Sequence, residues 1–199
     1  DKFFNDDGDL KEDFILDAAN IYIDYGLDEN ALEWMSLSKT TNNPEYKELL
    51  ARILFGIGNF DECIKIFNEL IDLNPYNKKY WVALSSAQFM LEDYNASITS
   101  SEYAIAIAPN DAEAIMSKAS GLYKLENYEE GIEAIRYAYS LNENDVLALN
   151  NAAIFYVNVD RDVYRAYENI TSALEDMPLS VSEENKNIII ENYNRIKSL

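Results

Sequence analysis

The sequence predicts an all-α fold in which antiparallel helix pairs repeat and stack side by side. Pro75 and Pro109 lie 34 residues apart, and apolar residues recur at the same spacing around them. A column of small residues keeps that spacing as well, and it comprises Ala51, Ser85, Ala119 and Ala153. A fixed period of this length indicates stacked supersecondary units, each of which buries its apolar face against its neighbours.

Composition supports an ordered helical chain and excludes some classes of partner. Of the 199 residues 48% are hydrophobic, which argues against disorder, and the low content of six Gly and four Pro suits helices joined by short turns. The net charge of −20 repels nucleic-acid phosphates and anionic lipid heads, so neither nucleic acid nor membrane is an expected partner. Residues 1–43 contain 11 acids and 3 bases; this end is either a solvated face or a surface that attracts a basic partner.

The N-terminal part of the chain is less regular than the rest. Residues 1–9 are predicted to be a frayed acidic lead-in, and residues 10–43 a degenerate helix pair. Phe14, Ala18 and Ile21 share one helical face, and Gly26 is a helix-ending residue. The pair fits the 34-residue period poorly, as terminal repeats often do because one side meets water.

Four repeats follow, each predicted to contain two amphipathic helices of about 14 residues. Repeat one covers residues 44–77, repeat two 78–111, repeat three 112–145 and repeat four 146–179, with one extra residue near Asp160–Asp162. Pairs such as Gly58-Asn59 mark the turn between the two helices of a repeat. Residues 180–199 are predicted to form a C-terminal capping helix with Ser180 or Ser182 at its start, although folding back onto the groove described below is the open alternative.

At these positions the chain resembles the tetratricopeptide repeat family. Repeat two carries the family pattern most fully, with Trp81, Leu84, Ser85, Tyr94, Ala104 and Pro109. The resemblance covers about two thirds of the chain, with mild departures at Cys63, Gly131 and Glu143. It implies a right-handed superhelix of helix pairs, whose concave face is lined by the first helix of each repeat and holds peptides, helices or other proteins.

The same resemblance implies an apolar groove on the first helices. The predicted groove residues are Phe55, Val82, Phe89, Met90, Met116, Tyr123, Lys124, Asn150 and Ile154. An extended peptide or an amphipathic helix could place apolar anchors along such a face. The alternative is that the aromatic rings pack against the neighbouring first helix and are only half exposed.

One branch of the family holds chaperone C-terminal carboxylates with a set of Lys, Asn and Arg side chains. On repeats one to three the matching positions hold Glu48, Arg52, Ala83, Glu113 and Ser117. One repeat later they hold Val82, Ser86, Ser117, Leu147 and Asn151. Because neither set supplies the cations that a carboxylate needs, no carboxylate-clamp ligand is expected.

Nothing in the sequence indicates catalysis or a cofactor. The chain has no His, so it lacks Ser-His and Cys-His pairs and a histidine metal cage, and it has no glycine-rich phosphate loop. Its one cysteine, Cys63, occupies a small-residue column and is predicted to fill the core. Asn5–Asp9 and Asp160–Asp162 are either plain polar turns or weak divalent-cation positions. We therefore predict no catalytic residues, no cofactor and no metal site.

The predicted function is a non-catalytic scaffold or adaptor that binds a partner protein or peptide. The alternatives are a structural or self-associating module, as in a homodimer, and a regulatory arm of a larger protein. Because the chain begins at Asp1 rather than Met, we expect a piece or processed product of a longer protein. Abundant Tyr and Asn with scarce Arg are typical of an AT-rich, bacterial genome. A cytoplasmic location is favoured.

Overall fold

The structure is a computed structural model that describes residues 3–5, 9–141, 146–175, 177–178 and 181–199. These residues form eleven α-helices and one short π-helix, joined by turns, and the predicted all-α repeat fold is confirmed. The chain divides into two compact units, called here the N-terminal unit, Asp1–Ser100, and the C-terminal unit, Ser101–Leu199.

The N-terminal unit is built from consecutive helices that pack on one another. Its helices are α1 (Glu12–Asp24), α2 (Asp28–Met35), α3 (Pro44–Gly56), α4 (Phe60–Leu73), α5 (Lys78–Met90) and the start of α6 (Tyr94–Ile107). Helix α1 packs on α2, α3 packs on α4, and α4 packs on α5. Because the connections are short, neighbouring helices run antiparallel.

The lead-in is attached to the first helix pair where it is described. Phe4 and Leu10 form an isolated antiparallel bridge, and the Phe3 ring lies 4.8 Å from the ring of Phe14. Lys39 forms an ion pair with Asp9 at 2.5 Å. These contacts tie residues 3–5 and 9–10 to α1 and to the segment that follows α2.

The C-terminal unit contains the remaining helices and one irregular segment. It comprises the end of α6, α7 (Ala112–Lys124), α8 (Tyr128–Leu141), α9 (Val146–Phe155), a π-helix (Tyr156–Asp160), α10 (Val163–Glu175) and α11 (Glu183–Lys197). Helix α7 packs on α8, α8 on α9, and α9 on α10. The predicted repeat-closing position Glu143 and the alternative cap Ser180 lie outside the described residues.

One turn geometry recurs between the helices of a pair. Gly58, Glu92 and Glu126 have left-handed backbones with φ of 80°, 62° and 61°, and they keep the 34-residue spacing. The amide N–H of the next residue donates to the carbonyl five residues back, as in Asn59 to Leu54 at 2.8 Å and Asn127 to Leu122 at 2.9 Å. These are Schellman-type helix ends, which satisfy carbonyls that a helix otherwise leaves unpaired.

The extra residue of repeat four is absorbed where α9 ends. Arg161 is the left-handed residue of this repeat, with φ of 52°, and it follows Glu126 by 35 residues. Directly before Arg161, the end of α9 widens into the π-helix. The Asp162 N–H donates to the Tyr156 carbonyl, six residues back, at 2.9 Å. A single-turn π-helix is the usual way for a helix to accommodate an inserted residue.

Small residues mark the places where helices approach closely. Every member of the column formed by Ala51, Ser85, Ala119 and Ala153 is fully buried. A second column, on the second helices, is also fully buried and comprises Leu70, Ala104, Ala138 and Ala173. In repeat two the contact is polar, because the Ser85 hydroxyl donates to the Ser97 carbonyl at 2.8 Å.

The last helix, α11, packs against the preceding helix pair. Ile189 and Ile196 are buried in a cluster with residues of α9 and α10. The Ser182 hydroxyl accepts a hydrogen bond from the Asn185 N–H at 3.2 Å and caps the start of the helix. Helix α11 therefore covers α9 and α10 within the C-terminal unit.

Candidate functional site

Groups that could support a reaction are few in this chain. Cys63 is fully buried in α4, and burial raises the pKa of its thiol to about 11, so little thiolate forms at neutral pH. Across the described part of the chain, no group of three or more Cys, Asp or Glu side chains could hold a metal ion. Residues 6–8 of one predicted weak cation position lie outside that part, as does the Asp160 side chain of the other. The candidate site described next is the set of predicted groove residues on the first helices.

In the N-terminal unit, the predicted groove residues differ in how far they are exposed. Val82 is buried, Phe55 and Phe89 are half-buried, and Met90 is 51% exposed. Phe55 also packs against the core cluster that α3, α4 and α5 share. Met90 and the open edges of the two Phe rings are thus the accessible parts of this set.

In the C-terminal unit, the predicted groove residues are mostly covered. Met116, Tyr123 and Ile154 are half-buried and pack against core clusters. Asn150 is 5% exposed, whereas Lys124 is exposed. Tyr123 and Lys124 are thus adjacent in sequence but differ sharply in accessibility.

A recurring ring contact fixes the three aromatic residues at the end of the first helices. The ring centroids of Phe55 and Phe60 are 5.3 Å apart, those of Phe89 and Tyr94 also 5.3 Å, and those of Tyr123 and Tyr128 5.6 Å. Each ring therefore contacts the first residue of the second helix in its own repeat. Tyr123 also meets the first helix of the next repeat, since its ring lies 4.9 Å from that of Phe155.

Polar contacts connect α11 to the first-helix side of repeat four. The Asn192 side-chain amide donates to the Asn150 side-chain oxygen at 2.9 Å. Arg195 donates to the Asn158 oxygen at 3.0 Å, and the Asn158 amide donates to the Tyr123 hydroxyl at 3.1 Å. The Asn150 side chain is therefore hydrogen-bonded to α11, and the packing of α11 over it explains its burial. Sequence reasoning missed this because Asn192 and Arg195 lie in α11, beyond the four repeats, where the repeat pattern does not predict contacts.

Two serines on the first helices, Ser86 and Ser120, direct their hydroxyls to their own helices. Ser86 donates to the Val82 carbonyl at 3.1 Å, and Ser120 donates to the Met116 carbonyl at 2.9 Å. Such bonds to the preceding turn are common for serine within helices. They reduce the polar groups that these first helices offer to a partner.

The helix pairs, turn geometry and small-residue columns define a helical-repeat protein with a candidate binding surface. Residues 44–77 match the family model for the tetratricopeptide repeat. A search of the curated proteins finds no match. Among described residues, no helix has both the length and the apolar character needed to cross a membrane.

Solved structures share the fold at low sequence identity. A tetratricopeptide protein of Thermus thermophilus, TTC0263, aligns with a TM-score of 0.80 and 16% identity over 95% of this chain and 100% of that one. MamA of Desulfovibrio magneticus RS-1 aligns with a TM-score of 0.67 and 20% identity over 85% and 97%. YrrB, described as having an unusual peptide-binding site, gives 0.61 and 15% over 93% and 91%. The family model thus identifies one tetratricopeptide repeat, residues 44–77, and the solved structures show that the chain has the fold of tetratricopeptide repeat proteins.

Proposed function

We propose that this protein is a non-catalytic interaction scaffold that binds a peptide or a helix of a partner protein through the first-helix faces of its repeats. The supporting observation is the ring contact that repeats in three repeats, Phe55 with Phe60, Phe89 with Tyr94 and Tyr123 with Tyr128. Each first ring is held by the second ring and is half-buried, so it offers a fixed apolar edge. A fixed edge lowers the ordering cost of binding.

The N-terminal unit supplies the more accessible part of this surface. Met90 is 51% exposed beside the half-buried Phe89, on the last turn of α5. An anchor from a partner that is well buried here contributes about 1.5–3 kcal/mol before ordering costs. Methionine adapts its shape to different apolar anchors, so this position suits a peptide or helix with one large apolar side chain.

The fold relatives support the same proposal. YrrB carries a peptide-binding site by its description, and it shares this fold over 93% of the present chain. The proposal places the corresponding role here on the first helices, with Phe55, Phe89 and Met90 in the N-terminal unit and Tyr123 and Lys124 in the C-terminal unit.

The test is affinity capture from the native host with the immobilised full chain and its Phe89→Ala/Met90→Ala variant. The expected result is a partner that binds the wild type and is lost from the variant, because the variant removes the exposed edge of α5. Circular dichroism of both proteins checks that the helices are retained.

The matched control removes two exposed apolar side chains elsewhere in the same unit. Leu73, the last residue of α4, is 64% exposed, and Tyr76, in the turn after α4, is 82% exposed. The Leu73→Ala/Tyr76→Ala variant should retain the partner. Equal retention by both double variants, with helices intact, contradicts the proposed surface.

Self-association is the second candidate function, and one observation favours it. Ile188, Ile190 and Leu199 lie on α11 or just beyond it with exposed fractions of 43%, 45% and 67%. Light scattering on the full chain tests this directly. A dimer that becomes a monomer on Ile188→Lys/Ile190→Lys supports self-association through α11, whereas a monomer at every concentration rules it out.

That this chain does not bind chaperone C-terminal carboxylates remains a prediction. A fluorescently labelled chaperone-tail peptide should show no saturable binding to the full chain. Binding at low micromolar dissociation constant, abolished by high salt, contradicts it because such binding requires clustered cations.

A further inference from the structure

A small cavity opens in the C-terminal unit beside the π-helix. Its volume is about 250 Å³, and α8, the end of α9 and α10 enclose it. Apolar side chains form one part of the wall, namely Ile132, Ile135, Ala152 and Phe155. The remaining lining is polar or aromatic and consists of Arg136, Tyr156, Arg165, Glu168 and Asn169.

Two arginines converge on the ring of Tyr156 at this cavity. The guanidinium carbon of Arg136 lies 5.9 Å from the ring centroid and that of Arg165 lies 5.8 Å from it. Both distances are within the range of a cation–π contact. The chain has 16 Lys and Arg against 36 Asp and Glu, so two guanidinium groups at one cavity are unusual for this chain.

The carboxylates near the cavity are engaged at its edge. Asp162 Oδ2 lies 3.5 Å from Arg165 Nε, which uses one of the five N–H donors of that guanidinium. The carboxylate of Glu168, close to the Tyr164 hydroxyl, raises the pKa of Tyr164. Asp162 and Glu168 therefore balance the formal charge of the two guanidinium groups, and the ion pair with Asp162 involves only Nε of Arg165 and not its two terminal nitrogens.

The apolar wall is shaped by one glycine. A Cβ atom at Gly131 would lie 3.2 Å from Phe155 Cζ, which is tighter than an ordinary contact. Other repeats hold Cys63, Ser97 and Ala166 at this position. Gly131 thus lets the Phe155 ring approach α8 and line the cavity.

Tyr156 itself is a departure from the repeat. Repeats one and three hold the buried leucines Leu54 and Leu122 at the equivalent position. Tyr156 is half-buried and is the first residue of the π-helix. Most of the lining residues, including Arg136, Tyr156 and Arg165, thus have no counterpart of the same type in repeats one and two, and π-helical turns of this kind are often found at functional sites.

We propose that this cavity binds a small anion, a carboxylate or a phosphate, carried on an apolar or aromatic body. Arginine guanidinium groups recognise carboxylate and phosphate oxygens with paired N–H donors, and the apolar wall accommodates the body. About 250 Å³ is below the usual volume of a drug-sized site, so the ligand is small. This site is separate from the proposed first-helix surface.

The affinity should be modest because the ligand is small and the protein is acidic. A ligand of about eleven heavy atoms at roughly 0.3 kcal/mol per atom gives a dissociation constant on the order of a few millimolar. The net charge of −20 opposes an anion, but at about 0.15 M salt the screening length is only about 8 Å, so the groups that line the cavity have a larger effect than the distant charges.

The experiment titrates phenyl phosphate, benzoate and benzyl alcohol separately into the ¹⁵N-labelled full chain, followed by amide shifts. We expect saturable shifts confined to residues around Tyr156 for at least one of the two anions and none for benzyl alcohol. Whichever of the two anions has the lower dissociation constant shows whether the site prefers a phosphate or a carboxylate. Competition by inorganic phosphate tells whether a free phosphate suffices.

Substitutions assign the binding to the arginines. Arg165→Gln and Arg136→Gln should each weaken binding at least about tenfold, which corresponds to the lower end of the range for one charged hydrogen bond. The matched control is Arg52→Gln in the N-terminal unit, which should leave binding unchanged. Arg165→Lys keeps the charge and should retain part of the affinity, and thermal unfolding confirms that each variant is folded.

Three results would overturn the proposal. They are benzyl alcohol binding as tightly as the anions, shifts that cluster away from Tyr156, and unchanged affinity in folded Arg165→Gln and Arg136→Gln proteins. Absence of any saturable shift up to about 20 mM ligand, several times the expected dissociation constant, also overturns it.

Discussion

At the residue scale, two glutamates adopt a backbone conformation that suits glycine. Glu92 and Glu126 have φ of 62° and 61°, at the position where repeat one has Gly58. A left-handed conformation costs an L-residue about 1–2 kcal/mol, and replacement by glycine removes this cost. Glycine also has more freedom in the unfolded chain, which lowers the resulting stabilisation by about 0.4–1 kcal/mol. Glu92→Gly and Glu126→Gly should therefore each stabilise the protein by about 0.5–1 kcal/mol, measured by urea denaturation.

The reverse substitution is the matched control. Gly58 has no atom within 4 Å of an added Cβ, so Gly58→Ala changes the backbone preference without a clash. It should lower the free energy of unfolding by about 1 kcal/mol. A neutral Gly58→Ala together with neutral Glu→Gly variants would show that these turns carry no strain.

Glu12 should make stability depend on pH through a contact between α1 and the segment after α2. The Ser38 hydroxyl donates to its carboxylate at 2.6 Å and the Lys39 N–H at 2.9 Å, and these bonds lower the pKa of Glu12. Because the folded pKa is lowered, the stabilisation is present above the unfolded value of about 4.3 and is lost as pH falls through the folded value.

Comparison of the wild type with Glu12→Gln measures this contribution. The difference in melting temperature should be constant from about pH 7 to pH 5 and should shrink as pH falls below about 4. A difference that persists undiminished at lower pH contradicts an ionised Glu12 as the cause.

At the element scale, α11 offers a direct test of its packing. Ile189 is fully buried against α9 and α10, whereas its neighbour Ile188 is 43% exposed. Ile189→Ala should cost about 2–4 kcal/mol of unfolding free energy because it removes buried methyl groups and leaves a cavity. Ile188→Ala, the matched control on the same helix, should change stability by about 0.5 kcal/mol or less. Equal effects on urea denaturation contradict the observed orientation of α11.

Sequence periodicity predicted what the repeats share. The column of Ala51, Ser85, Ala119 and Ala153 is buried because two helices cross there, and that requirement recurs in every repeat. The same reasoning missed the Tyr156 cavity, because Arg136, Tyr156 and Arg165 have no counterparts of the same type in repeats one and two. It also left the exposure of the groove residues open, since burial of Asn150 depends on Asn192 in α11.

At the scale of the whole molecule, the net charge of −20 should dominate the response to salt. Like charges repel in the compact state, and salt screens that repulsion. Raising NaCl from about 0.05 to 0.5 M at pH 7 should raise the melting temperature by about 3–6 °C. Near the sequence pI of about 4.2 the salt effect should largely disappear. A salt response of the same size at both pH values contradicts charge repulsion as its origin.

The recurring helix-end turn has a consequence for how a protein of this kind gains length. Gly58 and Glu92 close their turns with the same hydrogen-bond pattern, one period apart. A tandem duplication of the DNA that encodes one such interval would join the copies within a turn of a type already present. Each new junction would then have the same turn and the same hydrogen bonds as the existing ones. The protein could therefore lengthen by whole repeats without evolving a new linker.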